Sequence, residues 1–181
     1  ADSATPVTIT GLPSNIASVE VGAQTICALT TTGDVWCWGT NGSGQLGQGT
    51  SGGISPAPVQ VTSLGSGVKS LALGDESACA VTSAGTLLCW GDIDNSTSSN
   101  HPVSVAGMPG GEAAVTVGTY GATCALSTSG GVRCFGYNYD GTLGNGTDTN
   151  SNTPVQVKGI SKGAKTISLA EYTGFALLKG G

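Results

Sequence analysis

Short apolar segments, each followed by a glycine-containing turn, recur along the whole chain. The clearest runs from Cys27 to Gly39, and it returns from Cys79 to Gly91 and from Cys124 to Gly136. In each copy two cysteines stand ten positions apart, and a glycine follows the first cysteine by six positions. A fourth copy begins at Phe175. Self-similar, strand-like units with a period of about 50 residues predict a repeat array, most often a β-propeller.

Each copy predicts a β-hairpin in which the two cysteines face each other. If Cys27 lies opposite Cys37, residues 31–33 form the turn, and glycine occupies its third position, where a type I turn followed by a left-handed residue requires it. Directly opposed cysteines on antiparallel strands are within disulfide reach. A zinc site would need C-x-x-C spacing, which the sequence lacks, and His101 is the only histidine. We therefore predict three bridges: Cys27–Cys37, Cys79–Cys89 and Cys124–Cys134.

The repeat divides one domain into four units, and each unit divides into short strands that we label a, b, c and d in chain order. The units are expected at residues 6–57, 58–101, 102–153 and 154–181, the last ending before its strand d. The first strand a is expected at residues 6–9, and a proline opens strand a in every unit. This fits a sheet edge, because proline cannot donate to a central ladder. The expected fold is therefore all-β, a propeller or partial propeller of about four repeats of four-stranded antiparallel blades, the last incomplete.

Composition and charge narrow the class of protein further. Glycine contributes 31 residues and charged residues only 9%, which suits tight turns and short strands. The formal net charge of −5 argues against a nucleic-acid partner, because phosphate binding needs clustered Lys and Arg. The sequence contains no apolar run of roughly 18 residues, so it predicts no membrane-spanning helix. Six paired cysteines favour an oxidising compartment, so we expect a secreted or cell-surface protein, and residues 1–3 resemble an end left by a signal peptidase.

The sequence offers little for catalysis or metal binding. His101 precedes a proline at a loop end, where a solvated or capping role fits better than that of a catalytic base, so we assign no catalytic residue and no cofactor. Asp92 and Asp94 alternate with other oxygen-bearing side chains, as in a calcium loop. The glycine and the bidentate glutamate of such a loop are absent. Asp92 and Asp94 are therefore a weak candidate for a metal site, and a polar turn is the simpler interpretation of this segment.

The segment at residues 27–50 contains the run Gly-Asp-Val-Trp-Cys-Trp-Gly-Thr-Asn-Gly-Ser-Gly-Gln-Leu-Gly-Gln-Gly-Thr, and Pro58-Val59 follows it. This pattern resembles a repeat of the regulator of chromosome condensation family. Residues 134–147, followed by Pro154-Val155, are similar, whereas residues 91–95 form a shorter loop in the second unit. The resemblance covers nearly the whole chain. It implies a propeller, usually of seven blades, in which each blade is ordered b-c-d-a from the axis outward.

Family membership would not by itself fix the function. The family includes nucleotide-exchange factors for a nuclear GTPase, a plant ultraviolet receptor and secreted bacterial β-lactamase inhibitors, and the paired cysteines resemble those of the secreted members. We expect a secreted, non-catalytic module that binds a protein or glycan in an adhesin, receptor-like or inhibitor role. The alternatives are a structural subunit of a larger propeller or fibre, and an enzyme, which the missing base–nucleophile pair disfavours.

The last unit is expected to be unfinished. Phe175 stands where a cysteine recurs in the other units, and the strand that would carry its partner is missing. Open sheet edges invite pairing with another chain. We expect completion by the chain's own N-terminal segment or by a neighbouring subunit in a homo-oligomer, which would fit a natural terminus. A boundary placed beyond a divergent last unit is the alternative.

Strand parity predicts which loops share a face. Strands alternate in direction in a b-c-d-a meander, so the b–c and d–a loops emerge on one face and the c–d and a–b loops on the other. All four tyrosines fall on the first face, and so do seven of the eleven acids: Asp75, Glu76, Asp92, Asp94, Asp140, Asp148 and Glu171. The basic residues are expected within strands or beside the opposite loops: Lys69, Arg133, Lys158, Lys162, Lys165 and Lys179.

Tyrosine supplies a large contact area at low entropic cost and is enriched at recognition surfaces. Loops are polar in general and tyrosine tolerates exposure, which is the alternative explanation of the pattern. An acidic face would attract a cationic partner or could hold calcium. We therefore predict that the ligand-binding residues are Tyr120, Tyr137, Tyr139, Asp140, Tyr172, Asp75 and Glu76.

Overall fold

The computed structural model describes residues 4–94 and 96–180, so residues 1–3, with their resemblance to a processed end, lie outside the described residues. Nearly all regular structure is β. The strands are β1 Ile16–Val21, β2 Thr25–Thr30, β3 Val35–Thr40, β4 Ile54–Gln60, β5 Val68–Leu73, β6 Ser77–Thr82, β7 Leu87–Asp92, β8 Ser98–Ser104, β9 Glu112–Val117, β10 Thr123–Ser127, β11 Val132–Gly136, β12 Ser151–Gln156, β13 Ala164–Leu169 and β14 Gly174–Leu178. A short 3-10 helix, Thr62–Leu64, follows β4. Within the described ranges, no helix has the length and apolarity that a membrane crossing requires.

The strands form successive antiparallel blades. Strands β1–β4, β5–β8 and β9–β12 each make a four-stranded sheet in chain order, and β13 pairs with β14 alone. Each innermost strand packs on the blade before it: β5 on β1 and β2, β9 on β5 and β6, and β13 on β9 and β10. The expected all-β propeller architecture with an incomplete last blade is therefore confirmed. We call β13–β14 the half-blade.

The predicted hairpin register is confirmed in all three full blades. Cys27 lies opposite Cys37, and the equivalent cysteines of the second and third blades are paired in the same way. All three pairs form disulfides, with Cα atoms 4.1 Å apart. The turn residue Gly33 has φ +85°, the left-handed conformation that the turn requires. A side chain at Gly33 would also collide with the backbone of Gly67 in the next blade.

The position of strand a differs from the prediction in two respects. Residues 6–9 form no strand, and the outer strand of the first blade is instead Ile54–Gln60. Each blade therefore combines strands b, c and d of one unit with strand a of the next unit. Among the described residues, no strand d precedes residues 6–9, so these residues have no strand d to pair with. The prolines lie inside the outer strands rather than at their starts. Cys37 pairs with Val59 and Gly39 with Ser55, so the outer strand has a bulge at residues 56–58. Because Pro58 lies in this bulge, its lack of a backbone N–H costs the sheet no hydrogen bond.

The hydrophobic core lies between the blades, and the d–a loops contribute to it. Leu46 is buried between the first and second blades, and Leu143 between the third blade and the half-blade. The shorter loop of the second blade uses Ile93 in the same way. Trp90 Nε1 donates to the Gln45 carbonyl across the first junction (2.8 Å). These glycine-rich loops therefore fold inward and fix the blades relative to one another.

Candidate functional site

The four tyrosines lie in one continuous row, although they come from three different loops. The ring centroids of Tyr137 and Tyr139 are 5.0 Å apart, those of Tyr120 and Tyr137 are 6.3 Å apart, and those of Tyr120 and Tyr172 are 5.0 Å apart. Tyr139 is 69% exposed, and Tyr120 and Tyr172 remain more than two-fifths exposed. We call this set the tyrosine row. The structure thus brings together all the tyrosines that strand parity placed on one face.

Glycines at the ends of the inner strands allow the b–c loops to converge. A Cβ atom at Gly118 would lie 3.0 Å from the Ala170 carbonyl oxygen of the next blade, and one at Gly74 would lie 3.0 Å from the Gly118 oxygen. Tight turns follow Gly118 and Ala170. A hydrogen bond from Gly118 N to the Ala122 carbonyl closes the first turn, and one from Ala170 N to the Thr173 carbonyl closes the second. Because larger residues would push the loops apart, this spacing permits Tyr120 to reach Tyr172.

A buried asparagine holds the loop that carries Tyr137 and Tyr139. Asn138 is fully buried, and its Oδ1 accepts a hydrogen bond from Leu143 N at 2.8 Å. Its Nδ2 donates to the Thr147 and Thr149 carbonyls. With Asn138 directed inward, the tyrosines on either side lie at the surface. In the first blade Asn41 accepts from Leu46 N in the same way.

Sequence reasoning did not assign this anchoring role. Its signal was present, because Asn41 and Asn138 each stand two positions after the glycine that ends a cysteine-containing strand, Gly39 and Gly136. A buried amide that satisfies several backbone groups stabilises one loop conformation.

Three members of the tyrosine row, but not Tyr139, line an open groove of about 480 Å³. The lining side chains with recognition chemistry are Asp75, Glu76, Asp92, Tyr120, Tyr137 and Tyr172. Asp75 and Glu76 occupy the b–c loop of the second blade, directly before β6, and Asp92 ends β7. The groove is therefore lined by both aromatic rings and carboxylates. We call it the acidic groove.

Hydrogen bonds and burial raise the pKa values of groups around the acidic groove. Side-chain hydrogen bonds with Tyr172 and Glu171 raise the pKa of Tyr120 to about 12. The Tyr120 hydroxyl donates to Glu171 Oε1 at 3.2 Å. Burial raises the pKa of Asp75, and the charges of Glu76 and Glu171 raise it further. This face therefore carries a negative potential that favours positive charge.

The remaining predicted acids have different surroundings. The Ser43 hydroxyl of the first blade donates to Glu76 Oε2 at 2.8 Å, so this carboxylate links two blades. Asp140 is exposed; burial raises the pKa of Tyr137, and the charge of Asp140 adds to that effect. Asp140 does not line the acidic groove but a neighbouring cavity of about 300 Å³ between the third blade and the half-blade.

The two members of the metal candidate have separate environments. Asp94 is buried, and its Oδ1 accepts hydrogen bonds from the backbone and hydroxyl of Ser96 and from Thr97 N. It thus closes its own loop as a polar turn, whereas Asp92 lines the acidic groove. Across residues 4–94 and 96–180, no three His, Cys, Asp or Glu side chains are grouped as metal ligands would be.

Lys158 lies in the a–b loop between β12 and β13, as the parity argument expects, but it also lies beside a d–a loop. Lys158 N donates to the Gly144 carbonyl at 2.8 Å, and a Cβ atom at Gly146 would lie 3.5 Å from Lys158 Cδ. Lys158 and Asp148 line the same shallow surface cavity. The reason is that the d–a loop folds back along the blade and reaches the end of strand a.

Comparisons with known proteins agree with this architecture. The sequence profile of the regulator of chromosome condensation (RCC1) repeat matches residues 32–81 and 129–177, which together exceed half of the chain. A second profile of the same repeat matches residues 16–45 and 68–96. The chain is 31% identical over 166 residues to E3 ubiquitin-protein ligase HERC2 of Homo sapiens, covering 86% of this chain and 3% of that protein. It is 29% identical over 166 residues to Ultraviolet-B receptor UVR8 of Arabidopsis thaliana, covering 87% and 38%.

Solved structures show the same fold at lower sequence identity. The chain superposes on human WBSCR16 with a TM-score of 0.79 and 20% identity, covering 91% of this chain and 45% of that one. It superposes on Prp20p from Saccharomyces cerevisiae with a TM-score of 0.74 and 16% identity, covering 92% and 44%. The chain therefore spans less than half of the length of each of these four proteins.

Proposed function

Because the chain belongs to the regulator of chromosome condensation (RCC1) repeat family, we propose that it is a non-catalytic module that binds another protein through the tyrosine row and the acidic groove. The observation that carries this proposal is the gathering of all four tyrosines, from three loops, into one exposed row. Solvent-exposed aromatic rings in contact with one another are typical of recognition surfaces, where they supply contact area at low entropic cost.

Known activities of similar proteins support a protein partner over other ligand classes. Prp20p is described by its binding to Gsp1p and histones, both of them proteins. Prp20p also forms a complex with Kap60. A glycan could stack on the same tyrosine rings and is kept as an outcome of the test.

The three disulfides support a secreted or cell-surface location, since such bonds persist in oxidising compartments. In that setting the protein would meet its partner outside the cell.

A role in assembly is a second candidate, carried by the half-blade. Phe175 and Leu177 lie on one face of β14 and are 68% and 48% exposed, whereas the equivalent residues of the other blades are buried. We propose that further propeller strands, from the same polypeptide or from a second copy of this chain, pack on this surface. The two surfaces adjoin, because Tyr172 of the tyrosine row and Phe175 of the half-blade line the same cavity of about 300 Å³.

Selection from a random peptide library displayed on phage tests the binding function. Recovered peptides are expected to bind the wild-type protein and to lose binding to the double variant Tyr137→Ala with Tyr139→Ala. The matched control, Lys162→Ala with Lys165→Ala, replaces two exposed residues elsewhere and should retain binding. Peptides that bind the tyrosine variant but not the lysine variant would overturn the proposal. A glycan array carried through the same variants identifies a sugar ligand.

A further inference from the structure

We propose that the acidic groove binds the guanidinium group of an arginine side chain displayed by the partner. This inference rests on the proposed function and names the chemistry that the groove recognises. Its basis is that two kinds of group line one groove of about 480 Å³: the carboxylates of Asp75, Glu76 and Asp92, and the rings of Tyr120, Tyr137 and Tyr172.

The tyrosines that line the groove supply aromatic rings for contact with a cation. Tyr120 and Tyr172 stack at an interplanar angle of 20°, so each ring covers one face of the other and leaves its own second face free of that contact. Tyr137 adds a ring tilted by 42° to Tyr120. A cation over such faces is attracted by the ring quadrupole, and the planar guanidinium group also stacks on them. The Tyr120 hydroxyl donates to Glu171 Oε1 at 3.2 Å, which holds the polar end of this ring.

The carboxylates that line the groove supply the negative charges that would pair with a bound cation. The charged residues that line the groove are all acids, with no Lys or Arg among the described lining residues. Asp75 lies near two further carboxylates, Glu76 and Glu171, so negative charge is concentrated at the groove. Five fixed N–H donors let arginine serve more than one carboxylate while its plane lies on a ring.

The geometry favours an organic cation over a metal ion. A divalent cation needs several oxygen ligands converging on one point. The described acidic side chains do not meet that condition, since none of them form a group of three arranged as ligands. A groove of this volume, open to solvent, is also much larger than an ion and matches a side chain with part of its backbone.

The test compares Nα-acetyl-L-arginine methylamide with its citrulline counterpart, which has nearly the same shape but no charge. Titration is followed by nuclear magnetic resonance of the tyrosine ring signals. The arginine compound is expected to shift the signals of Tyr120, Tyr137 and Tyr172, and to bind at least about fivefold more tightly than the citrulline compound. The double variant Asp75→Asn with Asp92→Asn should weaken arginine binding by a similar factor. The control Asp148→Asn, which removes an exposed acid outside the groove, should not.

Equal affinity for arginine and citrulline, or unchanged affinity in the Asp75→Asn, Asp92→Asn variant, would overturn the inference. The library selection described above distinguishes a failure of this inference from a failure of the proposed function. Peptides that need the tyrosine row but bind equally well after arginine is replaced by citrulline would refute arginine recognition and leave the binding function standing. Peptides that do not need the tyrosine row would refute the function itself.

Discussion

The rings of Tyr120 and Tyr172 stack at 5.0 Å with an interplanar angle of 20°, although they belong to b–c loops of successive blades. Gly118, at the base of the first loop, makes this approach possible because a Cβ atom there would lie 3.0 Å from the Ala170 carbonyl oxygen. The contact therefore depends on blade packing rather than on local sequence. It also couples the two hydroxyl groups to Glu171, with measurable consequences for ionisation.

Alkaline titration should reveal this coupling. Hydrogen bonds with Tyr172 and Glu171 raise the pKa of Tyr120 from 10.0 to about 12, so the folded protein holds this proton more tightly than the unfolded chain. The stabilisation is complete below about pH 10 and is lost as pH rises towards about 12. Phenolate absorbance should show a late transition that Tyr120→Phe removes and Tyr172→Phe moves to lower pH. Tyr139→Phe should leave that late transition in place, and a single transition near pH 10 for every ring would contradict the prediction.

The inward d–a loops should matter for stability in the second blade as much as in the first. Leu46→Ala and Ile93→Ala are each expected to lower the free energy of unfolding by about 2–5 kcal/mol, because both leave cavities between blades. Chemical denaturation measures the change. Ile54→Ala is the control, since Ile54 is 73% exposed and its loss should change stability by less than about 0.5 kcal/mol. If Ile93→Ala behaved like Ile54→Ala, the shorter loop would not fill the junction as described.

Glu112 should make the stability pH-dependent in the acid range. The residue is buried and its Oε1 has no hydrogen-bond partner among the described groups. Burial raises the pKa of Glu112, and Arg133 and Lys69 oppose the rise. A raised folded pKa means that stability falls as pH increases from the unfolded value, about 4.5, through the folded one. Relative to the wild type, Glu112→Gln should therefore gain stability over that interval in pH-dependent denaturation.

Arg133→Gln provides the companion variant for Glu112, because loss of the nearby cation should extend the decline in stability to higher pH. Parallel pH profiles of the wild type and Glu112→Gln would show that burial of this carboxyl group does not affect folding.

The half-blade should promote self-association of the 181-residue chain. Phe175 and Leu177 form an exposed apolar surface beside an open sheet edge, and such surfaces pair with other chains. Sedimentation velocity should show concentration-dependent association that the double variant Phe175→Ser with Leu177→Ser reduces. Ile54→Ser changes an exposed apolar residue on an outer strand and is expected to have little effect. A wild-type protein that stays monomeric at all concentrations would argue against this role of the surface.

The sequence by itself determined the features that depend on residues close together along the chain. The spacing of Cys27 and Cys37 around Gly33 determined the hairpin register and the disulfide, because a three-residue turn leaves only one way for those cysteines to face each other. The alternation of strand direction likewise placed Tyr120, Tyr137, Tyr139 and Tyr172 on one face, since parity is a property of the meander alone.

Tertiary packing decided what parity could not. The stacking of Tyr120 on Tyr172 and the link from Ser43 to Glu76 join residues of different blades, and neither pair shares a local pattern. The same holds for Ile93, whose burial in place of a leucine depends on the space that the neighbouring blade leaves. Lys158 lies beside Gly146 because the long d–a loop folds back, which strand direction alone does not predict. Strand periodicity specifies a blade, whereas the contacts between blades create the groove, because they alone fix the distances between side chains far apart in the sequence.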